Sequence, residues 1–315
     1  MVFNEKLPQH FSAALFQNVH YNLPGLFQFS DLLYIFLDAV RRKFSYDIPV
    51  SYIYGSPLCK WNGGRVIMNI HKRLSHEEIK EELFRANEYG ITPLLTFSNL
   101  SIDEALLEDK LCNDILEILR QTGGDIIVAS PLLEQYIRKY YPEIKIHASV
   151  IKTVFAPRTS EYYAQLSEKY YYYVVHPDDN YNSELLRSIP THNAEILVNE
   201  HCFHKCKQRA GHYNSISREQ ISIANKAFQY ENFLECCSAI PECKQLYSSR
   251  RNISCSIADI QDLLKLGFSY IKIQGRIDNI YSAFFDIMRY TLENDIAFPS
   301  LYPIFCSQIE KYYNR

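Results

Sequence analysis

Thr92-Pro93-Leu94-Leu95-Thr96-Phe97 is followed by an amphipathic run from Leu111 to Gln121, by Gly123-Gly124, and by a second apolar run, Asp125-Ile126-Ile127-Val128-Ala129. A short apolar run, a helical run and a second short apolar run make one β–α–β unit. Gly123-Gly124 stops the helix, and Pro131 opens the next one, through Lys139.

The same alternation extends in both directions. Strands are predicted at 50–54, 92–97, 125–129, 144–148, 171–175, 194–198, 252–255 and 270–273, with helices over 76–89, 159–169, 182–188, 257–266 and 279–293. Ser75 and Gly90 bracket the helix over 76–89. Strands alternating with helices argue for a parallel sheet, and eight repeats argue for its closure into a barrel. The expected fold is α/β, a (β/α)8 TIM-like barrel over residues 50–315. Residues 1–49 are expected to form an N-terminal helical extension packed on it, with a helix over 30–43 capped by Ser30. A cysteine-rich insertion, about 200–251, follows the sixth predicted strand.

Composition narrows the function. The 315 residues are 47% hydrophobic and 22% charged, which suits a globular domain. A net charge of -3 gives no general electrostatic grip on nucleic acid. A local patch at Lys205, Lys207 and Arg209 keeps nucleic acid among the candidate partners, although such clusters are usually solvated surface. The apolar stretch from Leu32 to Val40 is interrupted by Asp38 and is too short to span a membrane. No export signal is visible and the nine cysteines are an odd number, so a reducing cytoplasm is expected. There is no Walker-type loop, no G-x-G-x-x-G, no C-x3-C-x2-C and no H-E-x-x-H.

Barrel enzymes place their chemistry on the loops after the strands. Here those loops carry Gly63-Gly64-Arg65, Ser98-Asn99, Ser149, His176, Asn199-Glu200 with Cys202, Cys255, and Gln274-Gly275-Arg276. Cys202 and Cys206, one helical turn apart, bring two thiols to one side. Cys237 and Cys243 complete a set of four, with Cys236 and Cys59 competing. Four thiolates bind either zinc or an iron–sulfur cluster. Arg65, Arg276 and Asn199 are the candidate substrate-binding residues, the arginines for an anionic group. Glu200 and Arg276 are the candidate catalytic residues.

Several segments then share a pattern. Asn199-Glu200-x-Cys202-x3-Cys206 with Arg209 and His212, Tyr54-Gly55-Ser56 with Gly63-Gly64-Arg65, and Tyr270-Ile271-Lys272-Ile273-Gln274-Gly275-Arg276 resemble, in that family's own order, segments of the collagenase-like (U32-type) peptidase family. Cys255-Ser256-Ile257 replaces an Arg-Pro-Glu, and His201 stands where Gly is common. The resemblance implies a barrel with a cysteine-bound 4Fe–4S cluster. It implies an oxygen-independent hydroxylase or related tailoring enzyme, acting on a small molecule, RNA or peptide, rather than a true peptidase. Two alternatives stand beside it: a metal-dependent peptidase with zinc at the same thiols, and a non-catalytic iron–sulfur subunit of a complex. Either a homodimer or a heterodimer partner is compatible with the chain.

Overall fold

The computed structural model describes residues 11–63, 73–200, 202, 204–225, 254–275 and 280–313. Eight parallel strands close in chain order into a barrel. They are β1 (His20–Leu26), β2 (Val50–Gly55), β3 (Thr92–Phe97), β4 (Asp125–Val128), β5 (Ile146–Ala148), β6 (Tyr172–Val175), β7 (Ala194–Leu197) and β8 (Tyr270–Lys272). β8 closes the ring by pairing Tyr21 with Ile271 and Asn22 with Lys272. The expected (β/α)8 fold is therefore the observed one.

Its starting point differs from the sequence reading. His20–Leu26 is the first barrel strand, and α1 (Ser30–Phe44) is its first covering helix. Residues 20–44 thus form a β/α unit of the barrel and not an extension. Pro24-Gly25 hides the strand, because Pro removes a ladder donor and Gly a side chain. The ladder records this as a register shift between Pro24 and Leu26. Of the predicted strand at 252–255, only Ser254 and Cys255 lie in the described residues, and neither is strand. The cysteine-rich segment follows the seventh strand, not the sixth. Ser30 is the first helical residue of α1 rather than its cap, and its hydroxyl donates to Glu82 Oε2 at 2.6 Å.

The remaining described helices are α2 (His76–Glu88), α3 (Glu104–Leu107), α4 (Lys110–Thr122), α5 (Pro131–Tyr140), α6 (Ile151–Val154), α7 (Ser160–Lys169), α8 (Ser183–Ser188), α9 (Arg209–Ala224), α10 (Ile257–Lys265), α11 (Ile280–Thr291) and α12 (Ala297–Tyr313). Local sequence sets their starts. Ser75 and Glu78 make a reciprocal capping box on α2, and Ser256 and Asp259 make one on α10. Ser130 caps α5 ahead of Pro131.

Side chains alternate along each strand, so the barrel has two distinct interiors. Outward residues such as Leu23, Ile53, Leu95, Phe97, Ile126, Val128, Tyr173, Ile196 and Ile271 join the helices in one large apolar core. The lumen is different. Tyr52, Leu94 and Ile127 pack there with Tyr54 and Tyr172. Other inward positions are polar and interact with one another. Asn22 Nδ2 donates to Glu195 Oε1 at 2.8 Å, and Lys272 Nζ to Glu195 Oε2 at 3.0 Å. His147 bridges Asp125 at 3.1 Å and Glu195 at 3.5 Å, and Tyr52 donates to Asp125 at 2.9 Å. Buried carboxylates persist only with such partners. Burial alone would raise the Glu195 carboxyl, but Lys272 and His147 outweigh it and hold it down at about 2.

Candidate active site at the barrel mouth

The loop after β7 begins with a fixed pair. Asn199 Oδ1 accepts from the Gln274 N–H at 2.5 Å, and Asn199 Nδ2 donates to the Gln274 carbonyl at 3.0 Å and to Asp286 Oδ2 at 2.9 Å. These bonds tie the end of β7 to the segment after β8 and to α11. Asn199 therefore spends its carboxamide on the scaffold, and this is how the structure places a residue expected to touch substrate. Glu200, also buried, accepts from the Cys202 N–H at 2.9 Å and from Gln274 Nε2 at 3.4 Å. It links the thiol loop to the cavity wall.

Cys202 and Cys206 are in contact, although the described residues between them are not the helical turn that their spacing suggested. Lys205 takes the left-handed conformation at φ +53°, which turns the chain back between them. A hydrogen bond from Cys206 and then burial push the Cys202 thiol well above the usual range. The Arg209 guanidinium also contacts the Cys202 sulfur. Arg209 does not belong to a solvated patch. It is 5% exposed, and its Nη1 lies 2.8 Å from His176 Nε2 and 3.3 Å from Asp178 Oδ2. Burial and the adjacent Arg209 charge push His176 down to about 3, so its imidazole is neutral. Asp178 Oδ1 accepts from the Lys205 N–H at 3.0 Å and lies 3.6 Å from His204 Nδ1. A carboxylate from the loop after β6 thus organises the thiol loop after β7. Asp178 carries no motif in the sequence, and Arg209 is its only pointer.

From Arg209, α9 crosses the mouth. Tyr213 packs on Ala129 and Ile151. Ser217 accepts from Asn99 Nδ2 at 3.0 Å through its carbonyl and from the Leu100 N–H at 3.0 Å through its hydroxyl. Asn62 Nδ2 donates to Gln220 Oε1 at 3.4 Å. Beneath this helix is a cavity of ≈ 110 Å³, floored by Lys272 and bordered by Gln274, Ser98 and Ser149. In the sequence, Lys272 stands out only as part of the Tyr270–Arg276 motif. The visible signal is a lone charge at an inward position of an otherwise apolar strand.

Cys59 does not join the thiol pair; its sulfur meets Cys112 and Ser56. Cys255 lies against Asn180 and Tyr181. Arg65, Arg276, Cys236, Cys237 and Cys243 lie outside the described residues. Among the described residues, no three His, Cys, Asp or Glu side chains are arranged to hold a metal.

Residues 66–169 match the family model described as peptidase family U32. Over that part of the chain the sequence is similar to peptidase family U32. The solved structure of the U32 peptidase Mk0906 overlays on it with a TM-score of 0.52 and 14% identity, covering 85% of this chain and 96% of that one. At that identity the likeness establishes a shared fold. No curated protein matches the chain. The matching segment ends with α7, so the thiol loop and α9 lie beyond it.

Proposed function

We propose that this protein is an iron–sulfur enzyme. Cys202 and Cys206 would hold a 4Fe–4S cluster, with Cys237 and Cys243 as the remaining ligands. The reaction would be an oxygen-independent hydroxylation or a related tailoring step on a substrate in the adjoining cavity. The observation that carries this reading is the contact between two thiols at the catalytic end of a barrel, beside a buried guanidinium and next to a cavity. Two thiols on one turn fit half of a four-thiolate set. The cluster, when bound, would supply the electron-transfer chemistry that side chains lack.

The chain's own residues would do the rest. Arg209, fixed by Asp178, offsets negative charge at Cys202. Glu200 and Gln274 connect the thiol loop to the cavity. Arg276 directly follows cavity-lining Gly275 and would hold an anionic group there together with Arg65. The described cysteines form no disulfide with one another, which suits a reducing cytoplasm, and no described helix is long and apolar enough to cross a membrane.

Anaerobic purification with iron and sulfide quantification tests the reading. About four of each per chain are expected in the wild type and a loss of both in Cys202→Ser with Cys206→Ser. Protein that stays iron-free after reconstitution would overturn it. The likeness to a U32 peptidase favours a second reading, a metal-dependent peptidase. Zinc held by four thiolates has no open position for water, so that activity would need a separate site. Chelator-sensitive peptide cleavage would establish it.

A further inference from the structure

The lumen cavity has a one-sided chemistry. Lys272, 8% exposed, is the sole charged side chain among its described lining residues. Its ammonium has three protons. One is taken by Glu195 Oε2 at 3.0 Å, and the Tyr54 ring lies 4.4 Å from Nζ. Glu195 lies behind the lysine, outside the cavity lining, and its charge is shared with Asn22 and His147. Ser98 and Ser149 border the same space, 6% and 5% exposed. The Ser149 oxygen accepts from the Ile151 N–H at 3.2 Å, which leaves its hydroxyl proton with no acceptor among the described residues. These donors border one cavity, so a ligand that presents acceptor oxygens suits it.

Size and the opposite wall limit that ligand. A cavity of ≈ 110 Å³ is far smaller than the roughly 300–1,000 Å³ of pockets that hold drug-sized molecules. Ile127, Val174 and Leu197 supply an apolar side. We propose that this cavity binds a small monocarboxylate of roughly two to four carbons. Its carboxylate would meet the Lys272 ammonium and the two serine hydroxyls, and its short chain would lie against Ile127, Val174 and Leu197. The inference rests on the reading of the cavity as the substrate site and names the class of molecule it takes. Binding does not require the cluster.

The test is ligand-observed NMR with calorimetry on the full chain, using acetate and pyruvate as probes and acetamide as the uncharged isostere of acetate. Pyruvate and acetate should compete for one site, and acetamide should bind at least tenfold more weakly. Lys272→Met should lower pyruvate affinity at least tenfold. Because that change leaves Glu195 without its lysine, Ser98→Ala with Ser149→Ala serves as a second variant, expected to weaken pyruvate several-fold with the fold retained. Equal binding of acetate and acetamide, or no pyruvate binding to the wild type, would overturn the proposal. Pyruvate binding to an iron-free wild type would sink the cluster reading and leave this one standing. A full cluster without pyruvate binding would do the reverse.

Discussion

The Asn199 carboxamide holds the Gln274 peptide from both sides, accepting from its N–H at 2.5 Å and donating to its carbonyl at 3.0 Å. The remaining Nδ2 proton goes to Asp286 at 2.9 Å. An amide is the side chain that can do both. Asn199→Asp keeps the acceptor, loses both donors and sets a carboxylate against Asp286. A loss of about 1–3 kcal/mol in denaturant unfolding is expected. A change within 0.5 kcal/mol of zero, roughly the size of an ordinary surface substitution, would contradict the clamp.

The lumen network makes stability depend on acid. Glu195 is held at about 2 against an ordinary value of 4.5. A carboxyl whose value falls on folding stabilises the fold while ionised. Its contribution is complete above 4.5 and fades as pH drops toward 2. Denaturation midpoints of the wild type should therefore fall through that window. Glu195→Gln should start lower at neutral pH, because Lys272 loses its partner, and should run flatter below 4.5. Parallel curves for the two proteins would show that Glu195 contributes nothing to the acid sensitivity.

Arg209 and Asp178 are both buried and joined by two contacts at 3.3 and 3.4 Å. Removing one partner strands the other charge, so Arg209→Met alone should cost about 3–5 kcal/mol. The pair with Asp178→Asn should recover part of that loss, giving a coupling above about 1 kcal/mol in a double-mutant cycle. Strict additivity would mean that the two side chains act independently.

Two glycines should respond in opposite directions. A Cβ at Gly275 would stand 2.3 Å from Pro24 Cβ, at the seam where β1 meets the end of β8. Gly275→Ala should destabilise by about 1–3 kcal/mol through overpacking. Gly211 lies within α9, where a Cβ would meet nothing nearer than Gln208 Oε1 at 3.9 Å. Gly211→Ala should stabilise by about 0.5–1 kcal/mol, as expected inside a helix. Thermal denaturation of the two variants side by side checks both signs.

The barrel was legible because the outward face of each strand is apolar and its boundaries are punctuated, as at Ser75, Gly90, Gly123-Gly124 and Pro131. His20–Leu26 was not legible, since Pro24-Gly25 interrupts the run that would announce it. The lumen was visible only as isolated polar residues: Asn22, Asp125, His147, Glu195 and Lys272. Their meaning depends on closure, because they come from strands far apart in sequence. The thiol pair was legible from spacing alone. Its support was not, since Arg209 reads as one member of a basic surface cluster and Asp178 as an ordinary loop acid. Asn199 was read for its chemistry, and the structure uses that chemistry to hold two strand ends together.

Cys202 and Cys206 are proposed to hold half of an iron–sulfur cluster. The most direct test is the optical and electron paramagnetic resonance spectrum of the anaerobically purified full chain, before and after reduction, compared with Cys202→Ser and Cys206→Ser. The wild type should be brown, with broad absorption that bleaches on reduction and yields a paramagnetic signal, both abolished in either variant. A colourless wild type after reconstitution, or a spectrum unchanged in the two serine variants, would contradict it.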